Sequence, residues 1–121
     1  MKLKNLTDLA NVLRDLGKQE LHGKMGFDMR HSYENRHTSD HPCGSACCIG
    51  GWVQHHNPNT RSMGLAHAVQ TLAPKLSHWE VERLCYPTWS SSAWDATPEQ
   101  AARAVEILRD TGECDWYEAM K

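Results

Sequence analysis

The sequence lacks the features that would place the protein in a membrane or on nucleic acid. No stretch is apolar for long enough to cross a bilayer, and no apolar run follows the lysines at the start of the chain, as a secretory signal would require. No block of basic residues is present either. We therefore expect a cytoplasmic protein without membrane contact, and nucleic acid is disfavoured as a partner.

The overall charge is nearly balanced. Thirteen Lys and Arg residues stand against fifteen Asp and Glu residues, which gives a formal net charge of -2 with neutral histidines. The five cysteines are an odd number in a chain without a secretory signal, which indicates reduced thiols. Hydrophobic residues make up 40% and charged residues 23% of the chain, a composition typical of globular proteins.

The apolar residues recur at helical spacing, and no segment alternates convincingly as a strand would. The sequence predicts an all-α protein, a compact single-domain bundle of about five helices, with a minor strand pair as an option in the loops. The helix boundaries are predicted from caps, capping boxes and a terminal glycine, namely Asn5 with Asp8, Ser62, Ser77 with Glu80, Thr97 with Gln100, and Gly112. The tail that begins at Cys114 is expected to fold back. The predicted helices cover residues 5–16, about 44–56, 62–73, 77–85 and 97–111.

Residues 41–56 concentrate the unusual chemistry of the chain. They contain three of the five cysteines, three of the eight histidines and three of the eight glycines. Small residues repeat at steps of three or four in the predicted second helix, so a neighbouring helix is expected to approach it closely. The small residues are Gly44, Cys48 and Gly51, and His55 continues the same face.

Cys43 is the candidate nucleophile. If the second helix begins at about Cys43, its thiol feels the helix dipole and the exposed N–H groups of the first turn, which stabilise a thiolate. A cysteine-dependent hydrolase or transferase also needs a histidine and a residue that orients it. The candidates are His55, His67 and His78, with Asp95 as the orienting residue.

The same segment suggests a zinc site. Imidazole and thiolate ligands suit zinc, and a structural site needs four of them in a tetrahedron. The four candidate ligands are His37, His41, Cys43 and Cys47. They support the alternative of a zinc-stabilised binding module, and the histidines of this region also allow a site for a small anionic signal molecule.

Five tryptophans are many for a chain of 121 residues. The simplest interpretation is that they fill a core otherwise built from alanine and leucine. Trp89 and Trp94 border a run of serines, which predicts an exposed connector. Aromatic side chains in such a position often anchor a protein partner, so these two residues are the predicted partner-binding pair.

The pattern formed by residues 27–29, 43–52 and 97–102 resembles small phage and mobile-element proteins with a Cys-Gly-Thr-x-x-Cys-Ile-Ala-Gly core. This chain departs from that core by Ser45 in place of threonine and Gly50 in place of alanine. The resemblance implies a phage-type accessory protein in the host-cell cytoplasm, and it carries no activity with it. By analogy, we expect it to bind and inhibit a host or defence component, as anti-CRISPR proteins do.

Overall fold

A computed structural model describes residues 2–18, 26–27, 46–87, 93 and 95–121. The fold is all-α, which confirms the predicted class, and the described residues contain six α-helices. None of these helices is long and apolar enough to span a bilayer. The helices are α1 (Leu6–Lys18), α2 (Ile49–His56), α3 (Leu65–Gln70), α4 (His78–Cys85), α5 (Pro98–Thr111) and α6 (Trp116–Ala119).

The longest helices, α1 and α5, pack against each other and form the centre of the bundle. Local capping determines where they begin. Asn5 Oδ1 accepts the backbone N–H of Asp8 at 2.9 Å, as the sequence predicted for α1. At α5, Thr97 and Gln100 form the predicted capping box, and Gly112 ends the helix with a left-handed φ of 77°.

The predicted start of the second helix was wrong. Residues Ala46–Cys47 form a short strand, β2, which pairs in parallel with β1 (Gly26–Phe27), so this backbone is extended where a helix was expected. Cys48 is the N-cap of α2, and its Sγ accepts the N–H of Gly51 at 3.4 Å. The first turn of α2 therefore does not include Cys43. The predicted activation of this thiol by the helix dipole required Cys43 to lie in that turn.

The helices α2 and α3 approach each other closely, as the small residues predicted, but the contact is made at Gly50. A Cβ atom on Gly50 would lie 2.7 Å from the Cβ of Leu65. Leu65 opens α3, whose N-cap is Gly64, so the prediction that Ser62 caps this helix was wrong. The result is a tight α2–α3 pair beside the α1–α5 pair.

One side-chain amide stabilises the turn between α3 and α4. Gln70 Nε2 donates to the carbonyl oxygens of Ala73 and Leu76, each at 2.9 Å. Ser77 holds the N-cap position of α4 as predicted, but the predicted capping box with Glu80 is absent from it. The carboxylate of Glu80 is instead bound by Arg83, 3.1 Å away, and is turned towards the C-terminal segment.

Candidate protein-binding groove

The C-terminal segment folds back against the end of α4, as the sequence predicted. The buried Trp116 donates its indole N–H to the carbonyl oxygen of Arg83 at 3.2 Å. Asp115 caps α6, because its Oδ1 accepts the N–H of Glu118 at 3.0 Å. These two contacts hold the start of α6 against the end of α4. An open space remains between the two helices.

That space is a groove with a volume of about 460 Å³, within the range of roughly 300–1,000 Å³ that is usual for binding pockets. We call it the acidic groove. The described residues that line it are Glu80, Arg83, Pro87, Glu113, Cys114, Asp115, Trp116 and Tyr117.

The acidic groove contains three carboxylates and one guanidinium group. Arg83 lies 3.1 Å from Oε1 of Glu80, so its charge is already matched by a neighbour on the same helix. The carboxylates of Glu113 and Asp115 remain as an excess of negative charge, and both residues are exposed. Two unbalanced negative charges are therefore concentrated at one end of the molecule.

Two large exposed aromatic side chains form what we call the aromatic rim: one lines the groove, and the other lies on α4, the helix that supplies Glu80 and Arg83. Tyr117 lines the groove and is 78% exposed. Trp79 is 62% exposed and lies on α4 one turn before Arg83, at the spacing that places side chains on the same face. By contrast, Trp52 and Trp116 are only 5% and 6% exposed, so the core interpretation holds for them and is wrong for Trp79.

The face of Tyr117 already contacts a cation. The ammonium nitrogen of Lys121 lies 5.2 Å from the centre of the Tyr117 ring, within the range of a cation–π interaction. The same nitrogen lies 3.1 Å from Oε2 of Glu118. The aromatic ring and the neighbouring carboxylate thus hold a primary ammonium group from the end of the chain.

The groove also contains a thiol, but this thiol is not poised to react. Cys114 is buried, and burial raises the pKa of its thiol to about 12. Burial likewise raises the pKa of Cys85 well above its usual range, with the nearby thiols of Cys48 and Cys114 adding to the shift. Because only the thiolate is a strong nucleophile, these buried cysteines act as small apolar side chains.

Only some of the site residues predicted from the sequence lie in the described part of the chain. Cys47 lies in β2, where the structure describes the backbone. The other candidate zinc ligands, the candidate nucleophile and the predicted partner-binding pair lie outside the described residues. Those others are His37, His41, Cys43, Trp89 and Trp94. Within the described part of the chain, no group of three or more His, Cys, Asp or Glu side chains is arranged to hold a metal ion.

The three histidines proposed as alternative partners of Cys43 lie in two separate places. His78 binds Gln70 and Glu82 through its two ring nitrogens, at 3.1 and 3.0 Å. The ring of His67 lies 4.6 Å from the ring of His78, centre to centre, on the side of α3 and α4. His55 instead stacks edge-on against Trp52 in α2, so His55 belongs to a different cluster.

Comparison with protein-family models, with curated proteins and with solved structures finds no match for this chain. Sequence reasoning had assigned Trp79 to the core and left the acidic residues of the tail without a role. The available signal was the cluster of three acidic and two aromatic residues from Glu113 to Glu118.

Proposed function

We propose that this is a phage-type accessory protein that binds another protein through the acidic groove and its aromatic rim, and thereby blocks a host or defence component. The observation that carries the proposal is the exposure of Trp79 and Tyr117 beside a concave, charged surface. Tryptophan and tyrosine are enriched among the residues that dominate binding energy at protein interfaces. The fold buries Trp52 and Trp116, whereas Trp79 and Tyr117 are the most exposed of the large hydrophobic side chains in the described part of the chain.

The chemistry of the groove favours binding over catalysis. Its thiol is buried with a pKa of about 12, and its arginine is held by a neighbouring glutamate. A general base or nucleophile needs a pKa near the working pH and access to the reacting atom. A binding surface needs only shape, charge and exposed aromatic area, and the groove has all three.

The resemblance of residues 43–52 to phage and mobile-element proteins supports the biological setting. An inhibitor of this kind needs a stable scaffold and one recognition surface, which suits a chain of 121 residues with a rigid α1–α5 centre. The partner in this proposal is a protein of the bacterial host or of its defence systems.

The test is a cellular assay with matched variants. The protein is expressed in bacteria that carry defined defence systems, and two quantities are measured: host growth rate and the plating efficiency of phages that those systems restrict. We expect the wild-type protein to change at least one quantity about tenfold. Trp79→Ala with Tyr117→Ala should abolish the change, since truncating a central aromatic residue of an interface typically costs about 2 kcal/mol or more.

Met63→Ala is the matched control, because Met63 is an exposed apolar side chain outside the residues that line the groove. Circular dichroism should show that all variants are folded, because Trp79 and Tyr117 are mostly exposed. The proposal is contradicted if the double variant acts as strongly as the wild type, or if the wild type has no effect across the panel.

A further inference from the structure

The excess of carboxylates in the acidic groove sets the charge of whatever binds there. Glu80 is balanced by Arg83, while Glu113 and Asp115 add two negative charges on the other wall. Asp115 accepts one backbone N–H with Oδ1, an arrangement that leaves its negative charge in place. A negatively charged ligand would be repelled by the wall that holds Glu113 and Asp115, and a positively charged one would be attracted to it.

The aromatic rim also favours a positively charged ligand. An aromatic ring face attracts cations, and Arg and Lys side chains are its usual partners in proteins. The Lys121 ammonium group, 5.2 Å from the centre of the Tyr117 ring, shows that a lysine side chain fits this position sterically. The Lys121 side chain is mostly exposed, so a competing cation displaces little structure.

We infer that the acidic groove binds a basic segment of the partner protein, with closely spaced Lys and Arg side chains. One cationic side chain takes the place of the Lys121 ammonium on the face of Tyr117. A second lies between Glu113 and Asp115, and the apolar stem of such a side chain packs on Trp79. This inference rests on the proposed function, and it adds the chemical class of the partner.

Two consequences follow from the exposure of these groups. The attraction is screened by salt, because the carboxylates of Glu113 and Asp115 are exposed and the screening length at 0.15 M salt is about 8 Å. Removing the Lys121 ammonium should strengthen binding, because the incoming cation then meets no competitor on Tyr117.

The test uses a fluorescein-labelled nonapeptide of alternating Lys, Gly and Arg as the probe, with a Glu and Gly peptide of equal length as its control. Anisotropy titrations on the full chain at 20 mM salt should give a dissociation constant for the basic peptide in the range of about 10–100 μM, rising steeply with salt. The acidic peptide should show no binding.

Three sets of variants then locate the site. Glu113→Gln with Asp115→Asn should weaken binding of the basic peptide about tenfold, and asparagine keeps the cap of α6. Asp15→Asn with Glu99→Gln removes the same charge from exposed positions on α1 and α5, and should change the affinity less than twofold. Lys121→Ala should strengthen binding about two- to fivefold.

Several results would overturn the inference. These are equal weakening by the two charge-neutralising double variants, tighter binding of the acidic peptide, or weaker binding by Lys121→Ala. Displacement of the peptide by an equal concentration of spermidine would also overturn it, since the groove would then select any small polycation.

If Glu113→Gln with Asp115→Asn keeps the cellular effect while Trp79→Ala with Tyr117→Ala loses it, the inference fails and the proposed function stands. If instead Glu113→Gln with Asp115→Asn loses the cellular effect while Trp79→Ala with Tyr117→Ala keeps it, the proposed function itself fails.

Discussion

The buried amide of Asn57 joins the first residues of the chain to the end of α2, and its removal should destabilise the fold strongly. Its Oδ1 accepts the N–H of Leu3 at 2.8 Å, and its Nδ2 donates to the carbonyl oxygen of Leu3 at 2.9 Å. Both residues are buried, so Asn57→Ala leaves two backbone groups without partners and without water. Each such group costs about 1–3 kcal/mol, and we expect a loss of about 2–4 kcal/mol in the free energy of unfolding.

A second variant tests the direction of each hydrogen bond. In Asn57→Asp the carboxylate still accepts from the N–H of Leu3, but it repels the carbonyl oxygen to which the amide donated. Burial raises the pKa of such a carboxyl group, because the charged form is disfavoured. The folded state then binds the proton more tightly than the unfolded state, so the defect relative to wild type should be largest at neutral pH and shrink as the pH falls.

Urea unfolding followed by circular dichroism measures both effects, at pH 7.5 and at pH values approaching 5. Asn59→Ala is the matched control, since Asn59 is exposed in the same turn and should change stability by less than about 0.5 kcal/mol. The reasoning is refuted if Asn57→Ala is as stable as Asn59→Ala, or if Asn57→Asp becomes less stable relative to wild type at acid pH.

Three further predictions concern packing, charge and thiol chemistry. Gly50→Ala should lower the free energy of unfolding by about 1–2 kcal/mol, because the clash with Leu65 outweighs about 1 kcal/mol of helix propensity; calorimetry showing an equal or higher Tm contradicts this. The hydrogen bonds from Arg14 lower the pKa of Glu106, so Glu106→Gln should cost about 1 kcal/mol at pH 7. That cost should vanish as the pH falls below the usual carboxyl pKa of about 4.3; urea curves showing a constant difference contradict it. Alkylation of Cys114 at pH 8, followed by mass spectrometry, should be slow until the protein unfolds; fast labelling contradicts its burial.

Features controlled by neighbouring residues were predictable from the sequence. The cap of α1 joins Asn5 to Asp8, and the capping box of α5 joins Thr97 to Gln100. Each of these contacts spans three residues, so the pattern contains both partners. The end of α5 at Gly112 follows from the left-handed backbone conformation that glycine adopts without strain.

Features controlled by distant residues were not predictable in this way. The N-terminal boundary of α2 is set by the pairing of β2 with β1, a contact between segments about 20 positions apart. Ala46 suits a helix by propensity, and the tertiary contact overrides that preference. The close approach of α2 and α3 was expected, but the glycine that permits it is identified only by the position of Leu65.

The residues of the candidate site were also not predictable from their local sequence. Trp79 and Trp116 look alike in the sequence, and only the fold distinguishes them. Trp116 is buried because the carbonyl oxygen of Arg83, 33 positions earlier, accepts its indole N–H. Trp79 lies on the outer side of α4 and remains exposed. The predicted roles of Cys43, Trp89 and Trp94 stay predictions that rest on the sequence.

The measurement that tests the central claim most directly is an alanine scan of exposed residues, read out by the cellular effect of the protein at equal expression. The account predicts that loss of effect clusters at the aromatic rim, at Trp79 and Tyr117, and along the acidic groove at Glu113 and Asp115. Variants on the exposed side of α1, such as Asn11→Ala, should keep full effect. A cluster of sensitive positions elsewhere, with the rim and the groove tolerant of substitution, would contradict the account.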